Sequence, residues 1–274
     1  MSESLDRLEK LVDRLRRECP WDREQTLATI STYLLEETHE LLEALDREDA
    51  AELRGELGDV LFQIFFLSRL AEERGWFSIA EVAASIEAKM IARHPHVFGA
   101  DKLGDAAAVK ATWEKRKRNA GGRREDPLSG IPATLPALSV ALRMSERAAN
   151  LGFDWERNAD LLAKVEEEIG EAKRAQRDGD RAGTEEELGD LLFAVANWAR
   201  RSSLDPERAL RLANAKFRRR FLAVTAIARA AGRDVGECTA EELDRHWNAV
   251  KRSERGAEPE DRDGKGRAPG DPAS

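Results

Sequence analysis

Cysteine, tyrosine and long apolar runs are what this chain has least of. Its 274 residues include only Cys19, Cys238 and one tyrosine, Tyr33. The two cysteines are far apart and lack metal-ligand spacing, so they read as reduced cytosolic thiols and not as a disulfide or zinc framework. No apolar stretch approaches the roughly 20 residues that a helix needs to span a bilayer. The opening Met1-Ser2-Glu3-Ser4-Leu5-Asp6 lacks the basic start and apolar core of a signal peptide. A Gly-rich phosphate loop of the Walker type is missing too, which argues against an ATP-driven motor. Positive charge is not in excess: 45 Lys and Arg face 53 Asp and Glu, a formal net charge of −8. That balance argues against nonspecific nucleic-acid or anionic-membrane binding. The reading is a cytoplasmic protein with no nucleic-acid or membrane partner.

Strand signals are also scarce, whereas Ala, Leu, Glu and Arg are abundant and apolar residues recur at helical spacing. Leu5, Leu8, Val12 and Leu15 form one stripe, and Ile30, Leu34, Leu41 and Leu45 another. The run Val60-Leu61-Phe62-Gln63-Ile64-Phe65-Phe66-Leu67 is apolar nearly all round, so that helix is expected to be buried on several sides, as in a helix-bundle dimer. The fold class is all-α.

What the chain does have is a repeated acidic pattern. Glu36-Glu37-Thr38-His39-Glu40 is followed by Glu56-Leu57-Gly58-Asp59, and Glu167-Glu168-Ile169-Gly170-Glu171 by Glu187-Leu188-Gly189-Asp190. Glu40 to Glu56 and Glu171 to Glu187 both span 16 positions. Residues three apart on a helix share a face, about 5–6 Å apart at Cβ. Two packed helices would therefore bring Glu37, Glu40, Glu56 and Asp59 into one tetrad, and Glu168, Glu171, Glu187 and Asp190 into another. These acids fall within the apolar stripes: Glu37 is three after Leu34 and four before Leu41, and Glu56 is three after Leu53 and four before Val60. Charge on a buried face needs a counter-ion. Close carboxylates resist ionisation unless a cation neutralises them, and oxygen-only ligands point to Mg²⁺ or Mn²⁺.

Basic and aromatic residues repeat in the same order. Lys89 and Arg93 match Lys216 and Arg220, and Trp113 with Lys117 matches Trp247 with Lys251. This is the signature of an internally duplicated helical unit. A carboxylate-bound cation beside helical Lys and Arg suits a polyphosphate. Trp247 either stacks on a base or ribose or fills core. A di-iron carboxylate bundle needs two Glu-x-x-His motifs; Glu36 and His39 supply one spacing, but Gly170 replaces the second histidine. His94 and His96, beside Pro95, read as helix-end residues. A non-catalytic nucleotide-binding module would use the same ligands as an enzyme.

Several motifs together resemble the MazG-type nucleoside triphosphate pyrophosphohydrolases of the tandem, two-repeat kind. They are Cys19 through Thr26, both tetrads, Arg93-His94-Pro95-His96-Val97-Phe98, Gly152-Phe153-Asp154-Trp155 and Lys216 through Phe221. The resemblance implies helical units that dimerise into bundles and hydrolysis of an NTP or dNTP between the α and β phosphates. It implies Glu168, Glu171, Glu187 and Asp190 as catalytic metal ligands, with Glu37, Glu40, Glu56 and Asp59 as their first-repeat counterparts. It also implies Lys164, Lys216 and Arg220 on the phosphate side and Trp247 against the nucleotide. Some relatives carry a lysine where this chain has Gly183. The first repeat has Tyr33 in place of Lys164 and Glu87 in place of Asn214, so catalysis is expected in the second. The expected organisation is a dimerising, at most weakly active repeat over 1–118, a linker over 119–134, a catalytic repeat over 135–253 and a disordered tail over 254–274.

Overall fold

The computed structural model describes residues 2–99 and 126–257. Among them every regular element is a helix, and no described helix is long and apolar enough to cross a membrane. The chain divides into two compact units, Met1–Ser129 and Gly130–Ser274. Trp113, Lys117, residues 119–125 of the expected linker and the tail from residue 258 lie outside the described residues.

The first unit contains α1 (Ser2–Glu18), α2 (Pro20–Glu24), α3 (Leu27–Arg47), α4 (Ala50–Glu72), α5 (Ile79–Arg93) and α6 (Pro95–Phe98). The second contains α7 (Ala137–Ala149), α8 (Asn158–Asp178), α9 (Arg181–Arg201), α10 (Pro206–Ala230), a 3₁₀ turn (Val235–Glu237) and α11 (Ala240–Ala257). In each unit the dominant packing is an antiparallel pair, α3 on α4 and α8 on α9.

Both pairs are built by the same local chemistry. The first helix ends on a left-handed residue, Glu48 or Gly179. The next residue is an aspartate whose side chain caps the second helix: Asp49 accepts from the backbone N–H groups of Ala51 and Glu52, and Asp180 from that of Gly183. Such a two-residue turn fixes the register, because residues equally distant from it face each other at 1.5 Å rise per residue. Glu40 and Glu56 stand about equally far from the first turn, as do Glu37 and Asp59. The acidic spacing therefore becomes a cross-helix pairing.

Glu48 has φ 56°, where a Cβ crowds the carbonyl oxygen, while Gly179 at the matching turn has φ 72°. At the end of α9, Ser203 has φ 58° where Gly75 beyond α4 has φ 68°. Left-handed backbone costs a non-glycine residue about 1 kcal/mol. Glu48→Gly and Ser203→Gly are each expected to stabilise the protein by roughly 0.5–1 kcal/mol, read as a higher urea midpoint.

The first core joins Val12, Ile30, Phe65, Phe66 and Leu70, with Tyr33, Leu61 and Phe62 against it. Phe66 is 1% exposed; burying such a side chain contributes roughly 2–3 kcal/mol. The second unit buries mostly small side chains, Ala172, Ala194, Ala196 and Ala228, together with Leu161, Val224 and Val250. Within the single chain α4 is buried on one side and open on another. Phe65 and Phe66 are buried, but Leu57 and Ile64, two turns apart on one face of the helix, are 52% and 39% exposed in the single chain.

Arginine clamps hold the segment preceding each acidic pair. Arg16 Nη1 donates to the carbonyls of Asp22, Arg23 and Gln25, while its Nε reaches Glu73 Oε1 at 3.0 Å. In the second unit Arg200 and Arg201, at the end of α9, grip Asp154, and Arg201 also bonds Asn158 and the Trp155 carbonyl. Burial pushes the Asp154 carboxyl up, but the bond from Arg200, the Trp155 N–H and the two guanidinium charges outweigh it and hold it below the usual range. The motifs around Trp21-Asp22 and Asp154-Trp155 are thus anchoring points. His94 is the C-cap of α5, its Nδ1 2.7 Å from the Met90 carbonyl, the helix-end role expected of it. The last helix runs past residue 253 to Ala257, so residues 254–257 are helical and not tail; Glu254 is held there by Arg219 and Arg220.

Candidate active site

Each helix pair gathers carboxylates, and the two units gather different threes of their four. In the first, oxygens of Glu37, Glu56 and Asp59 all lie within 4.8 Å of one another; in the second, those of Glu168, Glu171 and Glu187 do. Glu40 and Asp190 stand just outside these groups, yet each is close enough to push up a neighbour's proton affinity. The cross-helix pairing is visible in those charges. After burial, the largest influence on Glu37 is Asp59, on Glu56 it is Glu40, and on Glu187 it is Glu171. Glu37, Glu56 and Glu187 are all raised above the ordinary glutamate range, by burial first and by neighbouring carboxylates second.

This donor set fits a hard divalent cation. It is oxygen-only, convergent and under-neutralised, and Glu56 Oε2 is buried with no hydrogen-bond partner. A cation between the helices would satisfy that oxygen and restore the ionised forms. His39 is exposed and belongs to neither group, so the donors are not those of a di-iron site.

The units differ in what stands one turn before the second acid. Glu168 is 3% exposed, and Lys164 Nζ lies 2.7 Å from its Oε1 and 3.0 Å from Glu167 Oε1. The bonds to Glu168 and Glu167 hold the Lys164 ammonium well above its usual range, so it stays charged. Lys164, expected on the phosphate side, is thus paired directly with the buried Glu168 carboxylate. In the first unit Tyr33 takes this position, packed edge-on to Trp21 with ring centroids 5.6 Å apart. Buried Gln63 hydrogen-bonds Glu37 and lowers its proton affinity, while its Oε1 has no partner. The corresponding residue of the second unit is Ala194. The first cluster therefore has neutral neighbours where the second has a cation.

The remaining residues form a second group, on α10 and α11. Arg220 lies over the Trp247 ring at 5.8 Å, and Phe217 meets the same ring at 5.4 Å while stacking on Phe221. Lys216 is exposed one turn before Arg220. The half-buried Trp247 ring thus stands between an arginine and the exposed Phe217. Gly183 also has a local reason: a Cβ there would sit 2.5 Å from Asp180 Oδ2 and disturb the cap that starts α9. Sequence reading overlooked Glu254 and the Arg200–Arg201 clamp. The arginines could have been found from their shared place in both repeats, since Arg69 and Arg200 end equivalent helices.

Two segments, residues 25–98 and 156–224, match the MazG nucleotide pyrophosphohydrolase domain. They contain both acidic clusters, Lys164, Lys216 and Arg220, whereas Trp247 lies beyond them. The nucleoside triphosphate pyrophosphohydrolase of Escherichia coli strain K12 is 44% identical over 257 residues, covering 91% of this chain and 98% of that protein. The nucleoside triphosphate pyrophosphohydrolase/pyrophosphatase MazG of Thermotoga maritima is 39% identical over 249 residues, covering 90% of this chain and 95% of its own. The crystal structure of a mazG-related protein from Thermotoga maritima aligns with a TM-score of 0.37 at 26% identity, over 41% of this chain and 98% of that one.

Proposed function

The chain belongs to the MazG nucleotide pyrophosphohydrolase family, and from that premise we propose that it hydrolyses nucleoside triphosphates, ribo and deoxy, to NMP and pyrophosphate. The observation that carries this reading is the second-repeat cluster of Glu168, Glu171 and Glu187 with Lys164 at 2.7 Å from its buried member. Catalysis is assigned to that repeat, and dimerisation to the first. The water oxygen bonds to the α phosphorus as the bond from that phosphorus to the α–β bridging oxygen breaks; the bridging oxygen leaves on pyrophosphate, which takes up one water proton while the other passes to solvent.

Glu168, Glu171, Glu187 and Asp190 would hold Mg²⁺ or Mn²⁺, which when bound supplies positive charge to the phosphate oxygens. Lys164 holds the Glu168 carboxylate through the 2.7 Å ion pair. Lys216 and Arg220 meet the charge that builds on the departing pyrophosphate, and Trp247 offers a face to the base or ribose. Glu37, Glu40, Glu56 and Asp59 form a cation site without the phosphate grip, because Tyr33 stands where a lysine would be. The exposed Leu57 and Ile64 of the first repeat suit a second copy of the chain, giving a homodimer. A cytoplasmic location and a role in clearing unwanted nucleotides from the pool are consistent with this chemistry.

The test is release of NMP and pyrophosphate from a panel of NTPs and dNTPs with Mg²⁺, alongside Glu168→Ala. Equimolar products that vanish in the variant are expected. Orthophosphate with NDP would mean a different bond is cut, and tight nucleotide binding without products would identify a binding module.

A further inference from the structure

Glu254 lies one residue beyond the expected end of the second repeat, and nothing in the acidic pattern includes it. It sits seven residues after Trp247, two turns along α11, and so on the same helical face. Its carboxylate reaches across to α10: Oε2 accepts from Arg220 Nε at 2.7 Å, while Oε1 accepts from Arg219 Nε at 3.1 Å and from Arg219 Nη2 at 2.9 Å. The Arg220 guanidinium it holds is the one lying over the Trp247 ring at 5.8 Å.

We propose that Glu254 is a positioning residue for nucleotide binding: bridging Arg219 and Arg220, it sets the Arg220 guanidinium against Trp247 and leaves the Nη edge for a phosphate oxygen. This rests on the reading of Arg220 as a phosphate-side group. The geometry gives three reasons. Contact is made through Nε, the inner nitrogen of the fork, so the Nη1–Nη2 edge that suits bidentate phosphate recognition takes no part in it. Arg219 holds the other carboxylate oxygen and so fixes the plane in which Glu254 presents Oε2. Two guanidinium charges share one carboxylate, so the group keeps a net positive charge and still attracts a polyanion.

The physical gain is preorganisation. A free arginine loses substantial rotamer freedom when a ligand immobilises it, and a residue ordered beforehand avoids that cost at binding. Arg220 and Glu254 are both largely shielded, at 21% and 27% side-chain exposure, whereas Arg219 is 65% exposed. The bonds from Arg220 and then Arg219 hold the Glu254 carboxyl below its usual range, so the anchor stays ionised. Glu254 touches neither substrate nor the reacting bond, and its effect passes through Arg220.

The experiment is steady-state kinetics of the full chain with Mg²⁺ and its best NTP, comparing Glu254→Ala, Glu254→Gln, Arg220→Ala and the Arg220→Ala/Glu254→Ala double variant. Glu254→Ala is expected to raise KM about 5–10-fold with kcat within about twofold, and Glu254→Gln, which keeps an acceptor for Nε, to recover most of that. The double variant should bind no worse than Arg220→Ala alone, because the second change has nothing left to position. Additive effects, or a fall in kcat and melting temperature alongside the rise in KM, would assign Glu254 a merely structural role and overturn the inference. If Arg220→Ala raises KM while Glu254→Ala does not, the inference fails and the reading of Arg220 survives. An unchanged KM in Arg220→Ala removes both.

Discussion

Replacing Glu168 or Asp190 by alanine is expected to lower kcat for pyrophosphate release by at least about 10³-fold, whereas Glu37→Ala and Asp59→Ala should stay within a few-fold. A factor of 10³ corresponds to ~4 kcal/mol of transition-state stabilisation, the scale on which a convergent charge centre acts. The asymmetry follows from Lys164. In the second unit its ammonium is bound to the buried Glu168 carboxylate at 2.7 Å, so Glu168→Ala removes a carboxylate from the cluster and leaves Lys164 paired with Glu167 alone. In the first unit Tyr33 and Gln63 place neutral groups beside Glu37, and Tyr33 stands where the second unit has the Lys164 ammonium. Saturating-substrate assays, with a melting curve of each variant to confirm folding, decide the matter. Undiminished turnover in Asp190→Ala together with its loss in Asp59→Ala would transfer catalysis to the first repeat.

Divalent cation should stabilise the protein strongly at pH 8 and weakly at pH 5. Glu37, Glu56 and Glu187 have their pKa raised, by burial and then by neighbouring carboxylates. A raised carboxyl binds its proton more tightly folded than unfolded. Between the ordinary glutamate value and the raised one the folded chain therefore carries more protons, and stability falls as pH climbs through that window. The penalty is complete above the raised value and absent below the ordinary one. A cation that favours the ionised carboxylates cancels the penalty where it is largest, and protons compete with it at low pH. At a hundred times its dissociation constant a cation contributes ~2.7 kcal/mol, or a melting shift of about 5–10 °C in a unit of this size. Without added cation, Glu187→Gln should melt higher than the parent at pH 8, and that gain should fade as the pH is lowered towards about 4. A cation-induced shift of equal size at both pH values would show that the clusters are not where it binds.

Helical periodicity and the duplicated acidic spacing were legible in the residues alone. The spacing of Glu37, Glu40, Glu56 and Asp59, repeated in Glu168, Glu171, Glu187 and Asp190, determined the helices, the duplication, the acid-bearing faces and carboxylate clusters that could hold a cation. That much is local, because 3.6 residues per turn and a two-residue connection leave little freedom. What a helical pattern leaves open is where side-chain ends come to rest between helices. Only the tertiary structure decided that Asp59 but not Glu40 joins the first group, while Glu171 but not Asp190 joins the second. It alone brought Arg220 over Trp247 and carried α11 far enough for Glu254 to bridge the arginines. These outcomes turn on rotamers and on distances of an ångström or two across helices. Sequence separation does not encode them, and packing of the whole unit sets them.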